Sequence, residues 1–486
     1  MARNNRVRID RIVIEAGEDD LTGHGGLMAL VQWLWRMGVR ELLDARLPQP
    51  AADNAYRASD MVVALWANIL VYGSEATLDT LDSLRKNLAV LHILGMESLP
   101  SSSAVGDWLR RMGNVELQGT KAEGQYGGHA DGVRRMQDVH YEVAALTLRG
   151  FGSELPGMLD FDASCIEEEK KYSEWMYTGD RGTMAYLGYV GRVCVMVELE
   201  PGNHSPNDHA ARRTISCMRL CARAGVKVKA TRADAASYTK GLVKYCQKRR
   251  VTFYVRAPQG AAVKETLGAQ PADAWHLKGV RQAGSGTPRV VELGRAAHAM
   301  DGVTDPFLLV ARRETTVTAA PEGDLVPETP VVERVYFAVG TNDVESTDEQ
   351  IVEIYNARGN SENRHKEIKA DLHLDRLPCG GERGRDANRI YAYACGMLYN
   401  LLELYKRDCM GKEAQAKRLP TLRKEQFAVA AKVTRHARVL TLKLASYATA
   451  TAQWLDAAVT AIRSTVKPFA FPKVAPAYGA FMYRRL

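Results

Sequence analysis

LPGMLDFDASC, residues 155–165, is the stretch on which the reading of the fold turns. Leu159, Phe161 and Ala163 alternate with Asp160, Asp162 and Ser164, so a strand here sets both aspartates on one face and the apolar side chains on the other. An acid on a buried strand is costly unless a metal or a positive partner answers it. Downstream, AYLGYVGRVCVMVELEPGN (185–203) reads as a hairpin partner and a further strand, and SPNDHAARRTISCMRLCARAG (205–225) as a helix. VKVKATRAD (226–234) is another strand, SYTKGLVKYCQKRR (237–250) a helix and VTFYVRAP (251–258) a fifth strand. Three early strands followed by alternating helix and strand predict a mixed α/β sheet, an order that a ribonuclease H-like core shares with several other mixed α/β folds.

To the N-terminal side the text is helical. GLMALVQWLWRMGVRELLDARL (26–47), SDMVVALWANILVYG (59–73, with Ser59 as its N-cap) and TLDTLDSLRKNLAVLHILGM (77–96) carry apolar residues at helical spacing. PSSSAVGDWLRRMG (100–113) follows, and the last two stretches form a helix, a turn and a serine-capped helix. Such a pair fits either helix-turn-helix DNA contact through Arg110 and Arg111 or a packed hairpin. The glycine-rich GTKAEGQYGGHADG (119–132) suggests a linker. Residues 259–341 are rich in β-branched and turn residues and predict a β-rich insertion, after which helix signals return. The expected units are 1–113, helical; 114–150, linker and helix; 151–258, first part of the core; 259–341, insertion; 342–400, second part of the core; and 401–486, a largely helical basic region ending in a proline-bearing extended tail.

The chain has 486 residues, 46% of them hydrophobic, and a net charge of +8. No uncharged apolar run reaches the roughly 18 residues of a membrane span, and the N-terminus has no apolar signal core, which predicts a cytoplasmic protein. The eight cysteines form no CxxC pair, so reduced and mostly buried thiols are expected rather than a zinc site. From Leu401 to Leu486 there are 16 Lys and Arg against 5 Asp and Glu, so this tail carries 16 − 5 = +11 and the rest is slightly acidic. That distribution suits a polyanion.

Asp234 stands where VKVKATRAD ends, at the carboxyl edge where open α/β sheets hold ligands. A cap on the following helix is its other reading. Further on, Tyr355, Arg358, Glu362 and Lys369 are spaced by 3, 4 and 7 residues, and at about 100° per residue they share one helical face. One carboxylate beside two cations and a phenol suits a metal ligand next to phosphate-binding groups. An exposed helix with i, i+4 ion pairs is the other reading, and Asp160 and Glu367 stay open as rivals of Asp162 and Glu362.

This spacing, Tyr, two residues, Arg, three residues, Glu, six residues, Lys, resembles the signature of the insertion-sequence-four superfamily of bacterial cut-and-paste DDE transposases. The text YNARGNSENRHKEIKADLHLDRLPCG (355–380), LDFDAS (159–164), the PGN after the third strand, RAD (232–234) and LPSSSAVGDWLRRM (99–112) are similar to one branch of it in the same order. The resemblance implies that Asp162, Asp234 and Glu362 are catalytic and ligate two Mg2+ ions, for which Mn2+ can substitute. It implies that Arg358 and Lys369 hold DNA near the cleaved bond, and that Tyr355 supports the helix or meets a phosphate. The implied partners are double-stranded DNA, as the terminal inverted repeats and the target, and a second copy in a homodimer on DNA. Residues 1–113 would then bind DNA or dimerise, in a nucleoid-associated bacterial protein. Within the insertion, Trp275 and Tyr336 are candidates for stacking a base turned out during hairpin formation, or are core. Ala235 and Ala236 depart from the serine and glycine common after the second aspartate, and Glu167, Glu168 and Glu169 add acids after the first. A non-transposing nuclease of the same fold and a DNA-binding descendant of a transposase are the competing functions.

Overall fold

The computed structural model describes residues 20–114, 131–207, 209–282, 288–318, 331–436, 439–464 and 466–470. The predicted linker at 119–130 and the extended tail from 471 lie outside them. A short strand β1 (Leu21–Thr22) precedes six helices, α1 (Leu27–Arg36), α2 (Val39–Arg46), α3 (Ala58–Tyr72), α4 (Thr80–Leu84), α5 (Leu88–Leu94) and α6 (Ser102–Gly113). Asn87 caps α5 and Ser101 caps α6 through side-chain oxygens that accept from Val90 and Ala104 amides. Helix α3 starts one residue before the expected cap: Ser59 is buried inside it, and the Asp60 carboxylate accepts from the Arg57 amide at 3.0 Å.

Helix α7 (Asp131–Phe151) leads into the sheet. The next elements are β2 (Met158–Glu167), β3 (Glu174–Trp175), β4 (Arg181–Val190), β5 (Val193–Pro201), α8 (Ala210–Arg223), β6 (Ala230–Ala233), α9 (Lys240–Arg249), β7 (Thr252–Ala257) and α10 (Ala261–Gly268). Strands β8 (Trp275–Gln282), β9 (Pro288–His298), β10 (Phe307–Thr318) and β11 (Val331–Thr341) complete a ten-stranded sheet. Its order is β5, β4, β2, β6, β7, β11, β10, β9, β8, with β3 also on β4. β2, β6 and β7 run parallel, and every other pairing is antiparallel. The expected insertion is therefore not a separate β layer. β11 pairs with β7 from Tyr254 opposite Thr341 to Ala257 opposite Ala338, so the inserted strands extend the same sheet.

After α11 (Asp348–Asn356) and α12 (Gly359–Lys366) comes the 26-residue helix α13 (Gly384–Cys409), buried along most of its length. Helix α6 crosses it in backbone contact, since a Cβ on Gly113 would lie 2.5 Å from the Ala387 nitrogen. Polar groups on α13 are matched to the sheet: Asn400 exchanges hydrogen bonds with the backbone N–H and C=O of Cys194, and the Arg389 guanidinium donates to the Leu199 carbonyl. Beyond the short helices α14 (Lys412–Gln415) and α15 (Leu419–Leu422), a β-hairpin interrupts the expected helical tail: β12 (Ala431–His436) and β13 (Val439–Leu444), with β1 on the other side of β12. Its apolar residues recur with period two, Ala431 and Val433 facing in, which a helix could not bury together. Helix α16 (Thr449–Ser464) follows. All eight cysteines are free and seven are buried. Among the described residues, no helix is long and apolar enough to cross a membrane.

Glu198 on β5 is buried at the junction of α7, the sheet and α8, where it accepts from the Tyr141 hydroxyl at 2.8 Å and from Arg213 at 3.2 Å. Arg213 also reaches Glu200 at 2.7 Å and lies over the Tyr186 ring. Removing one partner strands a buried charge, so Arg213→Ala is expected to lower the unfolding free energy by about 3–5 kcal/mol, while Arg213→Met with Glu198→Gln recovers part of the loss. Urea denaturation followed by circular dichroism checks this, and an unchanged midpoint in Arg213→Ala would contradict it.

Candidate active site

Phe161 and Ala233 are register partners on the parallel neighbours β2 and β6, so Asp162 and Asp234 are the next residues along on each. Asp162 is largely buried; one carboxylate oxygen accepts from the Ala163 amide at 3.0 Å. Asp234 caps the turn Ala235–Ser237, accepting from the Ala236 amide at 3.1 Å. Helix α9 itself is capped by Thr239, so capping that helix is not the task of Asp234. Burial, and next the charge of Asp162, push the Asp234 carboxyl up to about 6, against the pull of Arg358 and the turn amides. Two carboxylates that repel in a half-dry cleft are thus a direct product of the strand register.

The third segment is anchored by Thr347, which caps α11 in a reciprocal pair with Gln350. The expected single helix from Tyr355 to Lys369 is corrected: α11 ends at Asn356, the chain turns at Ala357–Arg358, α12 follows, and a π turn spans Glu367–Asp371. Gly359 and Asn360 beside the break are poor helix formers. The bend still brings the signature residues together. Arg358 donates to Asp162 at 2.7 Å and to Glu362 at 3.4 Å, so one guanidinium bridges two carboxylates carried 200 residues apart in the chain. Tyr355, half-buried beside it, also interacts with Arg358, and burial raises its hydroxyl. Glu362 is 57% exposed. Lys369 in the π turn donates to the Ser164 hydroxyl at 2.9 Å and the Cys165 carbonyl at 2.7 Å, just past Asp162 on β2.

Asp160, the rival of Asp162, is 3% exposed, and both its oxygens accept from Arg232, at 2.7 and 2.8 Å. Its cost of burial is met by that cation. Glu367, the rival of Glu362, lies among the charges of Lys406, Glu403, Asp371 and Arg418. Arg110 and Arg111 are exposed on the last turn of α6, Arg110 paired with Asp107 at 3.0 Å. Trp275 is buried, its ring between Tyr336 and the Arg313 guanidinium, which stands 4.2 Å from the ring centroid. As placed, the Trp275 ring is packed within the sheet.

Several neighbours escaped the sequence reading. His365, one turn after Glu362, is buried against Tyr189, its Nε2 has no hydrogen-bond partner among the described residues, and burial lowers its pKa to about 4. Tyr177, exposed on the β3–β4 turn, lies within reach of the Cys165 thiol and feels the charges of Asp234 and Asp162. A cavity of about 210 Å³ beside Tyr355 is lined by Phe337, Arg256, Arg312 and Asn356. The Arg312 and Arg256 guanidiniums stand 4.6 and 5.3 Å from the Phe337 ring centroid. Apart from Tyr355, its lining is gathered by strand order from β7, β10, β11 and α11, which no local sequence pattern marks.

Among the described residues, no three acidic, histidine or cysteine side chains already surround one point closely enough to hold an ion. The donor set nevertheless fits a hard divalent cation. Burial and the charge of Asp162 raise Asp234, and Arg358 bridges Asp162 to Glu362, so the acids lie where added positive charge is favourable.

A family model described as transposase DDE domain, group 1, matches residues 4–467. No curated protein matches the chain. Among solved structures, the chain is similar to a piggyBac transposase in a synaptic complex with hairpin DNA, at 10% identity and a TM-score of 0.40, over 82% of this chain and 80% of that one.

Glu367 yields a pH test. Burial pushes its carboxyl from 4.5 up to about 7, so between these values the folded chain holds a proton that the unfolded chain releases. Stability therefore falls as pH rises through that window, and Glu367→Gln, neutral throughout, lacks this loss. The melting temperatures of wild type and variant should be closest near pH 4.5 and diverge by a few degrees in favour of the variant above pH 7. A difference that does not change with pH would contradict the assignment.

Proposed function

The chain belongs to the DDE transposase domain group 1 family, and we propose that it is a cut-and-paste transposase of the insertion-sequence-four type, acting on the terminal inverted repeats of its own element. The observation that carries this reading is the meeting of Asp162 and Glu362 at the Arg358 guanidinium, with Asp234 close enough to be raised by Asp162. The order β5, β4, β2, β6, β7, with β4 antiparallel to three parallel strands, supports a ribonuclease H-like core. Residues 1–113 serve DNA binding and dimerisation, 151–258 and 342–400 form the core, 259–341 the insertion, and the basic region 401–486 tracks phosphates. Two ends cut in one assembly call for a homodimer on DNA.

Asp162, Asp234 and Glu362 would hold two Mg2+ ions, with Mn2+ able to substitute. When bound, such a pair activates water or a 3′-hydroxyl and offsets charge on the leaving oxygen. The chain's own groups do the rest. Arg358 faces the same cleft with a planar donor set suited to a phosphate and can exchange its carboxylate partners for one. Lys369, by tying the π turn to Ser164 and Cys165, holds the Glu362 segment against β2. The cleft beside Tyr355 gives a base turned out of the duplex a flat ring, Phe337, flanked by two guanidiniums, with Asn356 as a polar edge. This cavity takes the stacking role in preference to Trp275 and Tyr336.

Labelled duplexes that end in the inverted repeat flanking the coding frame, incubated with the protein and Mg2+, test the reading. Wild type should cleave at the element end. Asp162→Asn, Asp234→Asn and Glu362→Gln should each slow cleavage by at least roughly 10³-fold, a barrier increase of about 4 kcal/mol, while retaining DNA binding in Ca2+. Retained nicking by Asp234→Asn would remove that residue from the site, and binding without cleavage by wild type would favour a protein that no longer cuts. If the Phe337 cavity receives a turned-out base, Phe337→Ala should lower hairpin product relative to first-strand nicks. An unchanged ratio would refute that use of the cavity.

A further inference from the structure

Beneath the candidate carboxylates lies a second charge cluster that the mechanism above leaves unused. Asp160 and Arg232 are register partners on β2 and β6, each two residues before a proposed metal ligand, and they form a bidentate pair. The remaining arm of Arg232, Nη1, donates at 2.8 Å to the carbonyl of Ile354, in the last turn of α11 next to Tyr355. Arg364, two residues after Glu362 on α12, approaches Asp160 at 3.8 Å. Every segment that carries Asp162, Asp234, Arg358 or Glu362 therefore meets at one buried ion pair.

We propose that Arg232 is a positioning residue, a three-armed clamp that fixes β2, β6 and the α11–α12 segment relative to one another so that Asp162, Asp234 and Glu362 can share cations. The physical case rests on geometry. Bidentate pairing locks the relative shift of two strands, because the guanidinium fork admits one orientation against a carboxylate. The bond to Ile354 then sets how far α11 can move from the sheet, and so where Arg358 and Glu362 stand. The clamp has an electrostatic side too: with Arg232 gone, the buried Asp160 carboxylate would keep only the more distant Arg364, at 3.8 Å, against its charge, two residues from Asp162. Lysine can keep a charge at this position but cannot form the fork and reach the carbonyl as well.

The inference rests on the transposase reading, and binding of Mn2+ by the full-length protein, followed as a rise in melting temperature, tests it without DNA. Residues that orient metal ligands typically alter affinity by about 10–100-fold. Arg232→Gln is expected to raise the Mn2+ midpoint by at least about tenfold while keeping the wild-type circular dichroism spectrum, with Arg232→Lys intermediate. Asp160→Asn with Arg232→Gln removes the Asp160 charge and covers the case in which the single variant fails to fold; its midpoint should also rise. A merely structural role would lower the melting temperature in EDTA without moving the Mn2+ midpoint, and that outcome would overturn the clamp while leaving the transposase reading intact. A wild type that shows no Mn2+ response, and does not cleave element ends, would instead overturn both.

Discussion

Carboxylates gathered at one place in a protein repel each other and resist leaving water, so whatever answers their charge determines what they can do. In this chain two arginines answer it, in different ways. Arg232 is largely buried beside Asp160 and donates from each of its three nitrogens to fixed partners on two elements, Asp160 on β2 and the Ile354 carbonyl on α11. Arg358 sits at the edge of the cleft and holds Asp162 and Glu362 together. The inner pair ties strands and helix together, and the outer one lies at the edge of the cleft, with Glu362 more than half exposed. One arginine lies below the acids and one beside them, and both meet carboxylates of the same cleft.

The sheet supplies the alignment. Parallel pairing of β2 with β6 sets Asp160 beside Arg232 and carries the chain on to Asp162 and Asp234, so the same register produces the clamp and the acidic pair. The long insertion between β7 and α11 keeps its strands in the main sheet, and β11 returns the chain next to β7. From there α11 crosses over the sheet to reach the Ile354 contact. Residues separated by nearly 200 positions meet because the strands between them add to one surface instead of forming a domain of their own. Phe337 on β11 and Arg312 on β10 also fall beside Tyr355 for this reason.

Much of this was legible in the sequence because it depends on short-range patterns. The alternation around Asp160 and Asp162, the end of the strand at Asp234 and the Tyr-Arg-Glu-Lys spacing each reflect a local periodicity. What the sequence concealed depends on pairing across the chain. Nothing local distinguishes Asp160 from Asp162; the difference is that Arg232 lies opposite one of them. The helix through Tyr355 was expected to be straight, yet it breaks at Ala357–Arg358, and a π turn rather than helical phase directs Lys369 to β2. Trp275 was readable as an aromatic in a β segment, but its burial against Arg313 and Tyr336 depends on strand order. The hairpin of β12 and β13 is concealed because each strand has only six residues, too short a period-two pattern to stand out within a basic stretch.

The central claim is that Asp162, Asp234 and Glu362 converge on shared cations once Arg358 yields its carboxylate partners. Anomalous diffraction from crystals of the protein grown with Mn2+ and an element-end duplex tests it most directly. The account predicts manganese at about 2.0–2.3 Å from oxygens of Asp162 and Asp234, with Glu362 completing the set and Arg358 turned to a phosphate. Manganese bound elsewhere, or an Arg358 that still bridges Asp162 and Glu362 with DNA in the cleft, would contradict it.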